Sequence, residues 1–166
     1  MPEGADPMDV RYNTIQWIHR QTRGWSYGAT VTDPRTGEII KGHVTLGSLR
    51  IRQDLLITEG LLLPYPKGDE PPAAGERMAL DRLRQLAAHE VGHTLGLMHN
   101  FAGTTFGWGS VMDYLAPNIQ PKGESLDLSD AYPTSVGSYD RLMVQWGYIP
   151  DGDPARLDRI VREGYA

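Results

Sequence analysis

Residues 89–100, HEVGHTLGLMHN, place two histidines four positions apart in a stretch whose apolar residues recur with a helical period. From Glu76 to Leu95 the apolar spacing is near 3.6 residues, which predicts a helix over that range. His89 and His93 then project from the same face, one turn apart, which suits two ligands of one metal ion. This segment therefore predicts a helix that carries a metal site.

Gly96 gives the same segment a way to bring in a third histidine. It lies three residues after His93, where it can adopt a positive φ, end the helix and turn the chain back. That turn would carry His99 toward the first two histidines. Three histidine ligands leave a fourth zinc position open for water, which is typical of a catalytic site. Glu90, rotated about 100° from His89 around the helix axis, can reach that water without becoming a ligand.

Composition excludes several other classes of protein. The chain has 166 residues, no cysteine and a net charge of −5, so any zinc is held by His, Asp or Glu, and nucleic acid is not an expected partner. No run of about 18 apolar residues predicts a membrane span, and the amino terminus lacks the pattern of an export signal. Pro2, Gly4 and Pro7 are typical of a linker, which predicts that the chain is part of a larger polypeptide.

The remaining pattern predicts a mixture of strands and helices. Before the histidine helix we expect a strand at 10–19 and a β-hairpin at 27–47 around the turn DPRTG. A helix at 49–63 and a loop at 64–76 are expected to follow. Residues 100–138 are rich in Gly and Pro and predict long ordered loops. A short helix is expected from Tyr139, and 151–166 stays open between a second helix and a frayed tail.

The pattern HExxHxxGxxH, formed by His89, Glu90, His93, Gly96 and His99, resembles the zinc-binding consensus of the metzincin metallopeptidases. Five specified residues in this order arise by chance in such a chain with a probability on the order of 10⁻⁵. By that resemblance the three histidines hold one Zn²⁺ ion and Glu90 is the catalytic base. Zinc rather than another divalent ion follows from the ligand type together with the resemblance, not from spacing alone.

Metzincins also have a methionine-containing turn beneath the metal, and SVMDY at 110–114 resembles it. Met112 would then be the apolar base of the site. The tyrosine two residues later matches astacin-like and serralysin-like members, in which it can ligate zinc and then stabilise the transition state. The resemblance makes Tyr114 a candidate catalytic residue, and the alternative, a tyrosine that packs beside the turn, stays open. Asp113 is a candidate for a hydrogen bond to one of the ligands.

Longer stretches, at 6–48, 82–101 and 138–148, make the chain similar to the Met-zincin domain of large bacterial zinc-dependent metallopeptidases. The resemblance implies one α+β domain over 1–166. A small mixed sheet would pack on the active-site helix within 10–99, and a loop-rich part with the Met-turn and a final helix would occupy 100–166. Metzincins usually carry a further strand and helix before the first strand seen here, so the amino-terminal subdomain is expected to be incomplete. The similar proteins resemble exported enzymes, which implies a periplasmic, envelope or extracellular location for a longer precursor.

The function implied by the resemblance is that of a zinc metalloendopeptidase acting on peptide or protein substrates. Zinc would activate water and polarise the scissile carbonyl, Glu90 would take and return the proton, and Tyr114 would help to stabilise the oxyanion. The second hairpin strand, at 42–47, is expected to be an exposed edge that aligns an extended peptide above the cleft. Two alternatives stay open: a zinc-retaining binding module without turnover, and a zinc hydrolase of non-peptide substrates.

Overall fold

A mixed three-stranded sheet is the first structural unit of the chain. The computed structural model describes residues 2–21, 24–62 and 73–164. The strands of the sheet are β1 (Thr14–Ile18), β2 (Tyr27–Thr32) and β3 (Ile39–Gly47). β3 lies in the centre, parallel to β1 and antiparallel to β2. The predicted hairpin between β2 and β3 is confirmed, and Gly37 takes a φ of +78° in its turn.

The strand order corrects the prediction of an exposed edge at 42–47. Those residues belong to the central strand, and Val44, Thr45 and Leu46 are buried. The sequence pattern did not reveal this pairing because β1 comes from a separate segment of the chain. β1 pairs in parallel with the edge of β3 that does not face β2, and Thr14 lies opposite His43. Among the strands of the described ranges, β2 pairs with β3 alone and is the edge next to the helices.

Strand β1 is also shorter than the strand predicted at 10–19, because residues 10–12 form a turn. The buried ammonium group of Lys41 donates hydrogen bonds to the backbone carbonyls of Asp9 and Tyr12. The carboxylate of Asp9 accepts the amide of Arg11 at 3.0 Å. Side chains thus satisfy backbone groups that a longer strand would have paired in the sheet.

Two helices follow the sheet, α1 (Leu49–Leu62) and α2 (Ala73–Thr94). They confirm the two helices predicted in this region, although α2 begins three residues before Glu76. Most of the predicted loop at 64–76 lies outside the described residues. The sheet packs on α2 through the buried side chains of Val44, Leu46 and Leu86, which fixes the histidine-bearing face of α2 relative to the strands.

The carboxyl-terminal half contains little regular structure before its last two helices. Its elements are a 3-10 helix (Gly103–Phe106), the short strands β4 (Gln120–Lys122) and β5 (Ser125–Asp127), and the helices α3 (Ser138–Gly147) and α4 (Pro154–Gly164). Helix α3 confirms the helix predicted from Tyr139. Helix α4 shows that the second-helix alternative for 151–166 was correct. The expected α+β class is confirmed, and no described helix has the length and apolar character of a membrane span.

Candidate metal centre and active-site cleft

Helix α2 ends in a glycine turn that redirects the chain toward the two helical histidines. Gly96 has a φ of +84°, and the amides of Gly96 and Leu97 donate hydrogen bonds of 3.0 Å to the carbonyls of His93 and Gly92. This pair of bonds is the Schellman motif, which a residue with positive φ makes possible. The prediction that Gly96 ends the helix is confirmed, and the turn brings His99 next to His93.

Three imidazole rings converge at this point. The Nε2 atom of His93 lies 3.2 Å from Nε2 of His89 and 3.2 Å from Nε2 of His99. The Nδ1 atoms of His89 and His93 donate to the backbone carbonyls of Val111 and Leu97, at 2.7 Å and 2.8 Å. Since a carbonyl oxygen only accepts, each Nδ1 carries a proton, and in the neutral imidazole each of these two Nε2 atoms then presents a lone pair.

Lone pairs that face one another at such distances repel unless a cation or a shared proton lies between them, so the donor set fits a metal ion. One ligand atom from each of the three histidines lies within 4.8 Å of the others. Burial lowers the pKa of His89 and of His99, and positive charge on neighbouring histidines lowers both further. The neutral imidazole favoured in this way is the form that binds zinc.

The turn at 110–114, the candidate Met-turn, lies directly beneath helix α2. Met112 is fully buried, and a Cβ atom at Gly92 would overlap its sulfur. This close approach explains a glycine inside the helix for which the sequence offers no reason. The amide of Asn100 donates to the carbonyl of Met112 at 3.0 Å, so the segment after His99 is tied to the turn.

One buried carboxylate of α3 holds the candidate Met-turn in place. Asp140 accepts the hydroxyl of Ser110 at 2.6 Å and the amides of Val111 and Gly137, each at 2.8 Å. The carbonyl of Val111 orients His89, so Asp140 supports the position of His89 indirectly, through Val111. Sequence reasoning missed Asp140. Its only signal, an acidic residue in the first turn of a helix, does not reveal partners about 30 residues away.

The suggestion that Asp113 bonds a ligand is wrong. Its carboxylate accepts the amide of Thr104 at 2.8 Å and the amide of Tyr114 at 2.7 Å. Asp113 therefore fastens the 3-10 helix to the candidate Met-turn. The carbonyls of Val111 and Leu97 are the groups that orient histidines, which residue types alone could not indicate because every residue has a carbonyl.

Glu90 and the three histidines line one cleft of about 670 Å³, bounded by β2, α1, α2 and the candidate Met-turn. The Glu90 residue is only 5% exposed. Burial raises the pKa of its carboxyl group, and His93 and a backbone hydrogen bond from Gly28 act in the opposite direction. A carboxylate with a raised pKa beside three histidines that could hold a metal ion has the properties of a general base.

Tyr114 lies at the open side of the cleft. Its ring centroid is 4.7 Å from that of His99 and 5.9 Å from that of His89. The residue is 64% exposed, so little packing restrains its ring. This position leaves the hydroxyl room to approach either the histidines or a molecule bound in the cleft.

Strand β2 takes the place beside the cleft that the sequence assigned to 42–47. Residues 24–28, which lead into β2 and begin it, line the cleft. A Cβ atom at Gly28 would overlap the carbonyl oxygen of Glu90, so the strand rests directly on the helix at the candidate base. Only glycine permits this approach, since any other side chain would push the strand away.

The domain has a small mixed sheet packed on a HExxH helix, and a glycine turn returns a third histidine to that helix. A turn that contains the buried Met112 lies beneath the histidines. These features are those of a metzincin-like domain. A family model described as Met-zincin matches residues 72–165, which is more than half of the chain. The chain therefore belongs to the Met-zincin family. No curated protein and no solved structure matches the chain.

Proposed function

We propose that the chain is a zinc-dependent peptidase in which His89, His93 and His99 hold the ion and Glu90 is the general base. The observation that carries this proposal is the convergence of three imidazole Nε2 atoms beside a buried carboxylate in an open cleft. Within the described ranges the ligand group has three members, whereas a structural zinc site is closed by a fourth protein ligand. We also assign the candidate Met-turn as the Met-turn of the family.

The chemistry then divides between the ion and the side chains. Bound Zn²⁺ supplies Lewis acidity, which makes water nucleophilic at neutral pH. A carboxylate oxygen of Glu90 takes a proton from the attacking water and passes it to the leaving amine. The hydroxyl of Tyr114 donates a hydrogen bond to the oxyanion that develops on the former carbonyl oxygen.

The edge of β2 favours a peptide over other carbonyl compounds as the substrate. An extended peptide can add to a free strand edge through main-chain hydrogen bonds. Because Gly28 lies against the backbone of Glu90, a peptide held along the start of β2 would cross the cleft at the general base. Export of the protein, which the resemblance implies, stays a prediction.

The test combines metal analysis with peptide cleavage. Zinc content and hydrolysis of a mixture of quenched fluorescent peptides are measured for the parent chain, for Glu90→Ala and for the control Glu76→Ala, which changes an exposed glutamate of the same helix. We expect one zinc per chain in all three proteins and cleavage in all but Glu90→Ala.

Two outcomes would contradict the proposal in different ways. Zinc without cleavage in the parent would favour the binding-module alternative. Cleavage of a nitrophenyl ester but of no peptide, again dependent on Glu90, would favour a hydrolase of non-peptide substrates.

A further inference from the structure

The cleft has a second charged region where helix α1 faces helix α2. Arg50 of α1 and Arg82 of α2 both line it, together with Gln53. Arg82 is 8% exposed, and the side chain of Arg50 is 33% exposed. Arginine is rarely buried to this degree unless a carboxylate pairs with it. The surroundings of the two guanidinium groups therefore decide what this region can bind.

Neither guanidinium is fully satisfied. The Nε atoms of both arginines are sealed from solvent and have no hydrogen-bond partner among the described residues. Arg50 approaches a carboxylate oxygen of Asp54 at 3.6 Å, which is longer than a hydrogen bond. Arg82 lies over the ring of Tyr132, 5.3 Å from its centroid. Both arginines nevertheless line the cleft, so a carboxylate that entered it would face two guanidinium groups.

Arg82 lies among groups of both charges. Arg50 adds a second positive charge, and Tyr132, Asp54 and Glu90 are the acidic groups close enough to offset it. Burial and the charge of Arg50 lower the pKa of Arg82. A bound anion would relieve this destabilisation of the guanidinium.

We propose that Arg82 and Arg50 form a carboxylate-binding subsite, which selects peptides with an acidic side chain or a free carboxyl terminus near the scissile bond. The inference rests on the proposed function, since it assumes that a peptide occupies the cleft. Guanidinium groups bind carboxylates through paired N–H donors. Arg82 lies two turns before His89 on the same face of α2, about 10 Å along the axis. That distance equals about three residues of extended peptide.

The first experiment compares cleavage of paired peptides. One set carries Glu or Gln at each of several positions on both sides of the scissile bond, and a second set ends in a free carboxylate or an amide. We expect the parent to prefer the acidic member at one position, or at the terminus, by about tenfold to a hundredfold in kcat/KM. A preference in the first set would show that the subsite binds an acidic side chain. A preference in the second set would show that it binds a free carboxyl terminus.

Variants connect the preference to the subsite. Arg82→Gln should abolish the preference and Arg50→Gln should reduce it. The control Arg84→Gln should preserve it, because Arg84 is 63% exposed and pairs with Asp81 at 2.6 Å. If circular dichroism shows that Arg82→Gln does not fold, Arg50→Gln, with its more exposed side chain, decides the question. Equal cleavage of Glu and Gln peptides by the parent, or a preference that survives both substitutions, would overturn the subsite.

A binding measurement separates this inference from the proposed function. Calorimetry compares one Glu peptide and its Gln partner on the zinc-loaded Glu90→Ala chain, with and without Arg82→Gln. Tighter binding of the Glu peptide that disappears with Arg82 supports the subsite even if the parent cleaves nothing. Cleavage by the parent together with equal binding of the two peptides would retain the peptidase and overturn the subsite.

Discussion

The amide of Val111 donates a 2.8 Å hydrogen bond to the carboxylate of Asp140, 29 residues further along the chain. The carbonyl of Val111 accepts the Nδ1 proton of His89 at 2.7 Å. Val111 therefore connects a buried acid on α3 to a candidate ligand on α2. The orientation of His89 therefore depends on a helix that lies outside the HExxHxxGxxH motif.

Replacement of Asp140 by alanine should weaken both the fold and the metal centre. Three buried donors would lose their acceptor, which predicts a loss of about 3 kcal/mol or more in the free energy of unfolding. Zinc affinity should fall about tenfold to a hundredfold, since the support of His89 is lost. Urea titration and competition with a chelator measure the two effects. Asp140→Asn is the control: its oxygen can accept both amides while its NH₂ faces the hydroxyl of Ser110, so equal losses in both variants would contradict this account.

Gly92→Ala should destabilise the chain, although alanine is ordinarily the better helix former by about 1 kcal/mol. The new Cβ atom would overlap the sulfur of Met112 and push the candidate Met-turn away from the helix. Gly60→Ala in α1 is the matched control, because nothing lies within 4 Å of a Cβ atom there. Thermal unfolding should show a lower Tm for the first variant and a slightly higher Tm for the second. A Tm that rises in both would exclude a close contact at Gly92.

Tyr114→Phe should reduce turnover about tenfold or more and leave zinc content unchanged, because it removes one hydroxyl donor to the oxyanion. Tyr139→Phe, which removes a hydroxyl from α3, outside the cleft lining, should leave the rate near that of the parent. Steady-state kinetics with one quenched peptide and elemental analysis provide the comparison. Equal rates in the two variants would favour the alternative in which Tyr114 only packs beside the turn.

Asp54 predicts a pH dependence of stability with a defined sign. Burial raises its pKa above the ordinary 3.8, and Arg50 and Arg82 oppose this change less strongly. The folded state therefore binds this proton more tightly than the unfolded state, and stability declines as pH rises from about 4 through the folded pKa. In zinc-free protein, the stability of Asp54→Asn relative to the parent should increase between about pH 4 and about pH 7.

Asp127→Asn should show the opposite pH dependence of stability when it is compared with the parent in the same measurement. Hydrogen bonds from Ser129 lower the pKa of Asp127 to about 2. The stability that this group contributes is present above pH 3.8 and is lost as pH falls toward 2. A relative stability of Asp54→Asn that stays flat between about pH 4 and about pH 7 would show that the buried carboxyl group is not shifted upward.

The parts of the site that the sequence predicted correctly are those that local geometry determines. The four-residue spacing of His89 and His93 fixes their shared helix face, and Gly96 provides the positive φ that ends the helix. The return of His99 follows within three residues of that turn. These relationships depend on the dihedral angles of neighbouring residues, which the residue types restrict strongly.

Tertiary structure decided the relationships between residues that are remote along the chain. The parallel pairing of β1 made β3 central and left β2 as the edge at the cleft. The support of Val111 by Asp140 and the meeting of Arg50 with Arg82 depend on how separate helices pack. The sequence by itself determined which residues can bind a metal, because ligand chemistry and helical spacing are local properties. Only the folded chain decided what supports those residues and what faces them across the cleft, because those contacts arise from the packing of distant segments.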